Sequence, residues 1–223
     1  MVRSRLIGLG LALALGLCSG GALALPMGSK GDGMVMLDTS PDQRELAANF
    51  AVSTVDAWGL ALGRWSEPGV HGVAAHERNR EFVAATYTRR VQRWNLPHAQ
   101  ANVWLVGMVG QVRGQGLNSA RSLGSLALMA DYETTRVYAG AGLRPMRASG
   151  VRHDSTWLRG GFSFYEAEYD EVQPWFVLEA KRVNFGSSAK NEVTPMLRFI
   201  HKRVFVEIGG NRDGAQFNLM WSP

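Results

Sequence analysis

The chain has 223 residues, 24 Lys and Arg against 19 Asp and Glu for a formal charge of +5, and a single cysteine, Cys18. Arg3 and Arg5 lie in a segment expected to be removed, which leaves 24 − 2 = 22 basic residues and a charge of +3; with no Lys/Arg block in the chain, a nucleic-acid partner is not expected. Removal also takes away Cys18, which excludes a disulfide framework, a cysteine nucleophile and a thiolate metal site.

That first segment reads as a secretory signal. Arg3 and Arg5 precede the apolar run "LIGLGLALALGL", and a small-x-small site follows at Ala22-Leu23-Ala24, the three parts of an export signal. The run is shorter than the ~20 apolar residues of a membrane-spanning helix. Cleavage is expected after Ala24, giving residues 1–24 as signal peptide and 25–223 as one domain. Cys18 suggests a lipid-modified N-terminus as an alternative, but Leu17 stands where such signals usually carry a small residue. The mean hydropathy of −0.10 suits a soluble protein and a transmembrane β-barrel equally, because lipid-facing and lumen-facing residues alternate in a barrel.

From there the chain alternates apolar and polar residues in short runs, the period of strands. "LAANFAVS" places Leu46, Ala48, Phe50 and Val52 on one face, and "AWGLALG" sets Trp58, Leu60 and Leu62 opposite small residues. In "EFVAATYTRRVQRW", Arg89 shares a face with Tyr87 and Val91, so it either snorkels at a membrane boundary or marks a shifted register. "ANVWLVGMVG" groups Ala101, Val103, Leu105 and Val109. "TRVYAGAGLR" turns Val137, Ala139, Ala141 and Leu143 away from Arg136, Tyr138 and Arg144. "STWLRGGFSFYEAEYD" carries Leu158, Phe162 and Phe164 and then Glu166 and Glu168 on one face, suggesting a strand that outruns the apolar zone. "PWFVLEAKR" separates Phe176, Leu178 and Ala180 from Val177, Glu179 and Lys181; "VFVEIGG" separates Val204, Val206 and Ile208 from Phe205, Glu207 and Gly209. "GAQFNLMWSP" does the same with Phe217, Leu219 and Trp221 against Gln216, Asn218 and Met220.

Twelve strands are predicted, near 33–39, 44–54, 56–65, 79–94, 100–114, 123–132, 134–145, 155–169, 174–185, 191–200, 202–210 and 213–221; ten remain an alternative because the first hairpin is weakly marked. Connections after the even strands ("STVD", "NLPHAQ", "DYETT", "YDEVQP", "IHKR") read as tight turns. Several after odd strands ("SEPGVHGVAAHERNR", "GQGLNSARSLG", "MRASGVRHD", "GSSAKNE") read as longer loops. An even strand number with short turns at one end and longer loops at the other is the plan of an outer-membrane barrel, with both termini on the periplasmic side. The expected fold is all-β, a closed antiparallel up-and-down transmembrane β-barrel. Closure is demanded in lipid, where every backbone N–H and C=O needs a protein partner.

Together these features resemble a small bacterial outer-membrane β-barrel protein. That resemblance implies export to the outer membrane of a Gram-negative bacterium, outer-membrane lipids as surroundings, and the barrel-assembly machinery as a partner that reads the last strand through Phe217, Leu219 and Trp221. The class usually finishes on an aromatic residue, whereas Ser222 and Pro223 follow Trp221 here. A fainter similarity is to the barrel part of copper-resistance outer-membrane proteins, whose Met/His-rich N-terminal segment this chain lacks.

The predicted inward face is unusually charged: Arg136, Arg144, Arg159, Glu179, Lys181, Arg198 and Glu207. Such residues pair across strands; they either plug the lumen or line a narrow path for small solutes or metal ions. Glu179, Arg198 and Glu207 fall on successive strands and are expected to share a network. His71, His76 and Glu77 lie in one predicted outer loop and His153 with Asp154 in another, a weak imidazole and carboxylate set for a divalent metal; solvated loop histidines are the plainer reading, and no cofactor is assigned. Met34 and Met36, soft thioethers on one strand face, are read chiefly as apolar surface. No catalytic residue is assigned, since Ser125 and Ser163 have no G-x-S-x-G surroundings. Trp58, Trp94, Trp157, Trp175 and Trp221 are expected in interfacial girdles and Trp104 in the lumen. The function expected is therefore a non-enzymatic envelope barrel, with a membrane-embedded hydrolase or a soluble periplasmic β-barrel binding protein as alternatives.

Overall fold

The computed structural model describes residues 29–67, 78–168 and 170–223; the signal segment, His71, His76 and Glu77 lie outside the described residues. Twelve strands follow one another: β1 (Gly33–Thr39), β2 (Gln43–Ala51), β3 (Asp56–Glu67), β4 (Arg78–Leu96), β5 (Ala99–Gly114) and β6 (Arg121–Thr134). The second half comprises β7 (Val137–Ala148), β8 (Val151–Ser163), β9 (Gln173–Asn184), β10 (Ala189–His201), β11 (Val204–Asn211) and β12 (Gly214–Trp221). Each strand pairs antiparallel with the next, and β1 closes on β12 with Val35 opposite Trp221 and Leu37 opposite Leu219. The result is a closed up-and-down barrel without sheet edges.

The chain turns where its residues permit. Lys202 adopts φ 53 between β10 and β11, and Gly150 adopts φ +74 between β7 and β8. Between β2 and β3 the Ser53 hydroxyl accepts hydrogen bonds from the amides of Val55 and Asp56, a local side-chain substitute for a backbone turn. A β-bulge at Arg90/Gln92 shifts the register of β4 against β5. Arg89, ahead of that bulge, does face outward; its guanidinium meets Asp56 at 3.0 Å and the Tyr87 hydroxyl at 3.3 Å.

Alternation places the apolar residues outside. Leu60 is 63% exposed, Val109 69%, Leu126 60% and Leu158 61%, and the same belt continues through Val83, Leu178, Val193 and Ile208. Arg198, Glu207 and Glu179, by contrast, are buried inside. A continuous apolar belt over a polar interior is the inverse of a soluble sheet and is the pattern of an outer-membrane barrel, where hydrocarbon covers the outer face.

The two ends differ. At the end that holds Gly33 and Trp221, here the terminal end, outward aromatics ring the belt: Phe50, Trp58, Tyr132, Phe162 and Trp221, with Tyr87 against Trp58 at 4.8 Å. At the opposite, loop end, the outward positions carry arginines: Arg44, Arg64, Arg113, Arg147, Arg152 and Arg182.

Three expectations are corrected. The long outer loop "MRASGVRHD" is a two-residue turn, because β8 begins at Val151, with Ala148 opposite Val151 and Arg147 opposite Arg152. The chain displaced from that end reappears at the other, where the sequence predicts a strand to 169 and the tight turn "YDEVQP" but β8 ends at Ser163 and β9 begins at Gln173. Glu166 and Glu168 therefore lie beyond the strand, which ends where the Ser163 hydroxyl donates to the carbonyls of Tyr165 and Pro174. Trp157 and Trp175 are not girdle residues: their positions in β8 and β9 have inward parity, and Trp175 is fully buried.

Candidate functional site

The lumen has two unlike walls. Strands β2 to β6 supply small and apolar side chains, among them Ala47, Ala61, Ala84, Met108 and Val112. Strands β7 to β12 supply most of the charges, while the other wall carries Glu45 on β2, the buried Glu67–Arg80 pair on β3 and β4, and Asp131 on β6. Arg159 on β8 donates to Glu179 on β9 at 2.6 Å and to Glu207 on β11 at 3.2 Å. Arg198 on β10 donates through Nε to Glu207 Oε1 at 2.8 Å. Asn218 on β12 donates to Glu207 Oε2 at 2.8 Å, and Gln216 reaches Glu179 at 3.5 Å. Glu207, with two guanidinium partners and an amide, is the hub. A buried ion pair is stabilising only when its remaining lone pairs and protons are also satisfied, which Asn218 and Gln216 help to do.

Arg198 is completely buried. Its guanidinium carbon stands 4.4 Å from the Tyr138 ring centroid and 4.9 Å from that of Phe205, so two aromatic faces offset part of its desolvation. Nη2 also lies 2.8 Å from Glu207 Oε1, an ion-pair contact, while Nη1 is buried without a hydrogen-bond partner. Tyr138 Oη, Trp175 Nε1, Asn218 Oδ1 and Arg144 Nη2 are likewise buried without a protein partner.

Side chains also meet across the interior. Arg144 on β7 donates to Glu45 on β2 at 2.8 Å. Trp65 on β3 lies 4.9 Å from the ring of His153 on β8, which packs 5.3 Å from Phe185. At the loop-end mouth Lys190 contacts Asp42, Glu192 and Asp213. At the terminal end Asp131 receives Trp104 Nε1 and Asn102 Nδ2, each at 2.7 Å. Trp104 thus fills the lumen as expected.

Of the seven charged residues read from the sequence, six face the interior: Arg144, Arg159, Glu179, Lys181, Arg198 and Glu207. The exception is Arg136. It sits in the β6–β7 turn, where the Thr134 hydroxyl accepts from its amide, and its guanidinium donates to the carbonyls of Ser163 and Phe164. The turn falls two residues later than the alternation implied, because Thr134 both ends β6 and seeds the turn.

His153, expected in a loop with Asp154, is a strand residue, 3% exposed and turned inward, while Asp154 faces outward between Arg147 and Arg152. The two cannot share an ion. Its Nδ1, like that of His201, has no hydrogen-bond partner, and among the described residues no group of three His, Cys, Asp or Glu side chains could hold a metal. Met34 and Met36 are also corrected: they face the interior, and Met34 is buried. Phe217, Leu219 and Trp221 face outward, as expected of a lipid-facing last strand, with Gln216, Asn218 and Met220 inside.

Sequence reasoning missed Glu45, Asp131, Lys190 and Glu192 as interior charges. Their parity within their strands was the available signal; Asp38, opposite Asn218 in the closing pair, carries it too. Trp157 shows how closely the interior is filled, since a Cβ added at Gly142 would stand 2.6 Å from its ring. Gly142→Val is expected to displace Trp157 and cost about 1–3 kcal/mol through overpacking, read as a lower temperature for loss of the fast-migrating folded band on a gel.

No family model matches the sequence, and no curated protein matches it. Among solved structures, one described as KdgM porin in complex with disordered oligogalacturonate is similar at 10% identity and a TM-score of 0.46, covering 86% of this chain and 97% of the other. A KdgM porin structure is similar at 11% identity and a TM-score of 0.45, with the same coverage. Similarity of that size does not extend to ligand or transport.

Proposed function

We propose that the protein is a non-enzymatic barrel of the Gram-negative outer membrane that passes small polar solutes or ions along the charged wall of its lumen, with the Arg159–Glu207–Arg198 cluster as the constriction. The carrying observation is that cluster: buried, alternating in sign, and bordered by polar atoms with no protein partner. Buried polar groups left unpaired are costly, and water or a polar solute relieves that cost. A hydrolase lacks support, because Ser163 spends its hydroxyl on backbone carbonyls and His153 sits among aromatic rings.

The cross-lumen contacts Arg144–Glu45 and Trp65–His153 favour a second reading, a closed barrel whose interior only supports the envelope. Planar-bilayer recording separates the two. The wild type should give small unitary currents. Glu207→Gln should give larger ones with a shift toward anions, since it frees Arg159 and Arg198 from one carboxylate. Silence from both proteins would leave the closed structural barrel.

A further inference from the structure

Arg44 on β2 and Arg64 on β3 are direct cross-strand partners on the outer face. Like charges placed opposite one another destabilise a sheet, yet neither guanidinium has a hydrogen bond or ion pair with a described residue. Arg64 is also opposite Glu81 on β4, but that carboxylate is engaged by Arg113 on β5 through Nε at 3.1 Å and Nη2 at 3.0 Å. Three arginines against one glutamate leave 3 − 1 = +2 on this patch. The second arginine pair at this end, Arg147 opposite Arg152, makes the contrast: the carboxylate of Asp154 contacts both. There one carboxylate serves both arginines; at Arg44 and Arg64 the one nearby carboxylate, Glu81, is bonded to Arg113 and to neither of them.

One step toward the membrane on the same strands, Leu46, Leu62 and Val83 face outward. Together with Arg44, Arg64 and Arg113 they border a depression of about 620 Å³ on the outer wall. Its lower half is hydrocarbon-facing, and its rim carries three arginines beside Glu81 and Glu45.

We propose that this groove binds a lipid whose headgroup carries phosphate, with the phosphate between Arg44 and Arg64 and an acyl chain along Leu46, Leu62 and Val83. Guanidinium groups match phosphate oxygens in bidentate fashion, and the dielectric falls toward the hydrocarbon, which strengthens the pairing. A free phosphate ion would use only the upper half of the groove. Among the described residues the terminal end has no cross-strand arginine pair on its outer face, its outward Arg89 being bonded to Asp56, so the proposed lipid belongs to the leaflet at the loop end. The inference rests on membrane embedding and not on whether the lumen conducts, so silent bilayer recordings would leave it untouched.

The test uses the folded protein in zwitterionic detergent, with bound lipid counted by native mass spectrometry and stability followed by heating. The probes are phosphatidic acid, diacylglycerol with the same chains, and inorganic phosphate. Phosphatidic acid should be retained by the wild type and bind about tenfold more weakly to R44Q/R64Q, while diacylglycerol should not be retained and phosphate should not compete. Without lipid the double variant should be at least as heat-stable as the wild type, because an unfavourable opposition is gone; with phosphatidic acid the order should reverse. R147Q/R152Q should bind as the wild type does, and R44Q alone serves if the double variant does not fold. Equal retention by R44Q/R64Q, equal retention of diacylglycerol, displacement by phosphate, or an equal loss in R147Q/R152Q would each overturn the proposal.

Discussion

Leu158→Arg should destabilise the barrel by about 2–4 kcal/mol in a lipid bilayer, whereas Thr156→Arg, one outward position nearer the loop-end rim, should cost only about 0–1 kcal/mol. The outward face of β8 is a depth scale written in one strand: Arg152 and Asp154 at the rim, Thr156 at the border, Leu158 in the belt, Phe162 at the aromatic end. A guanidinium at Leu158, whose side chain is 61% exposed, would sit in hydrocarbon with no partner within its strand. At the border the same group extends toward Asp154 and water. In a soluble barrel the sign is opposite, since exchanging an exposed leucine for arginine on a wet surface is neutral or helpful to solubility. Equilibrium folding into phospholipid vesicles measures both variants on one scale. Equal, near-zero costs would show that lipid does not cover this face.

The inside-out pattern was legible because a strand's period of two depends on nothing beyond the strand itself. Phe176, Leu178 and Ala180 against Val177 and Glu179 already declared both faces of β9, and "VFVEIGG" declared those of β11. Closure followed from the need to pair every backbone group in lipid. Boundaries were less legible, because alternation does not stop where a strand stops. Glu166 and Glu168 kept the parity of Leu158 and Phe162, yet Ser163 had already turned its hydroxyl to the carbonyls of Tyr165 and Pro174. At the other end β8 starts four residues earlier than the alternation suggests, which carries His153 out of a loop and into the interior, away from Asp154. Arg136 failed for a related reason: two hydrogen bonds to Thr134 Oγ1 placed it in a turn.

Which interior charges meet was legible only in part. Glu207 and Arg198 are direct partners in the β10–β11 register, so their pairing is implied by neighbouring strands. Arg144 and Glu45 lie 99 residues apart on nonadjacent strands, and strand tilt and stagger decide that contact. The Arg44–Arg64 opposition is likewise a register fact. Nothing in the run "QREL" or "GRWS" announces it.

The largest single stability effect is expected at the hub. Among the described residues, Glu207→Leu removes the only carboxylate that Arg198 contacts and one of the two that Arg159 contacts. Arg198 is completely buried against Tyr138 and Phe205. Breaking a buried pair by deleting one partner costs about 3–5 kcal/mol, because an uncompensated charge stays behind, whereas replacing both partners by apolar groups is often neutral. Arg198→Met in the Glu207→Leu background should therefore recover most of the loss, and the two substitutions should couple strongly in a double-mutant cycle. Arg159 limits the effect of its own loss of Glu207, since Glu179 still receives its Nε at 2.6 Å. Denaturant midpoints of the four proteins, folded in the same detergent, give the coupling directly. If Glu207→Leu costs less than about 1 kcal/mol, or if Arg198→Met fails to recover it, Arg198 has access to solvent; the cluster is then part of an open path rather than its constriction.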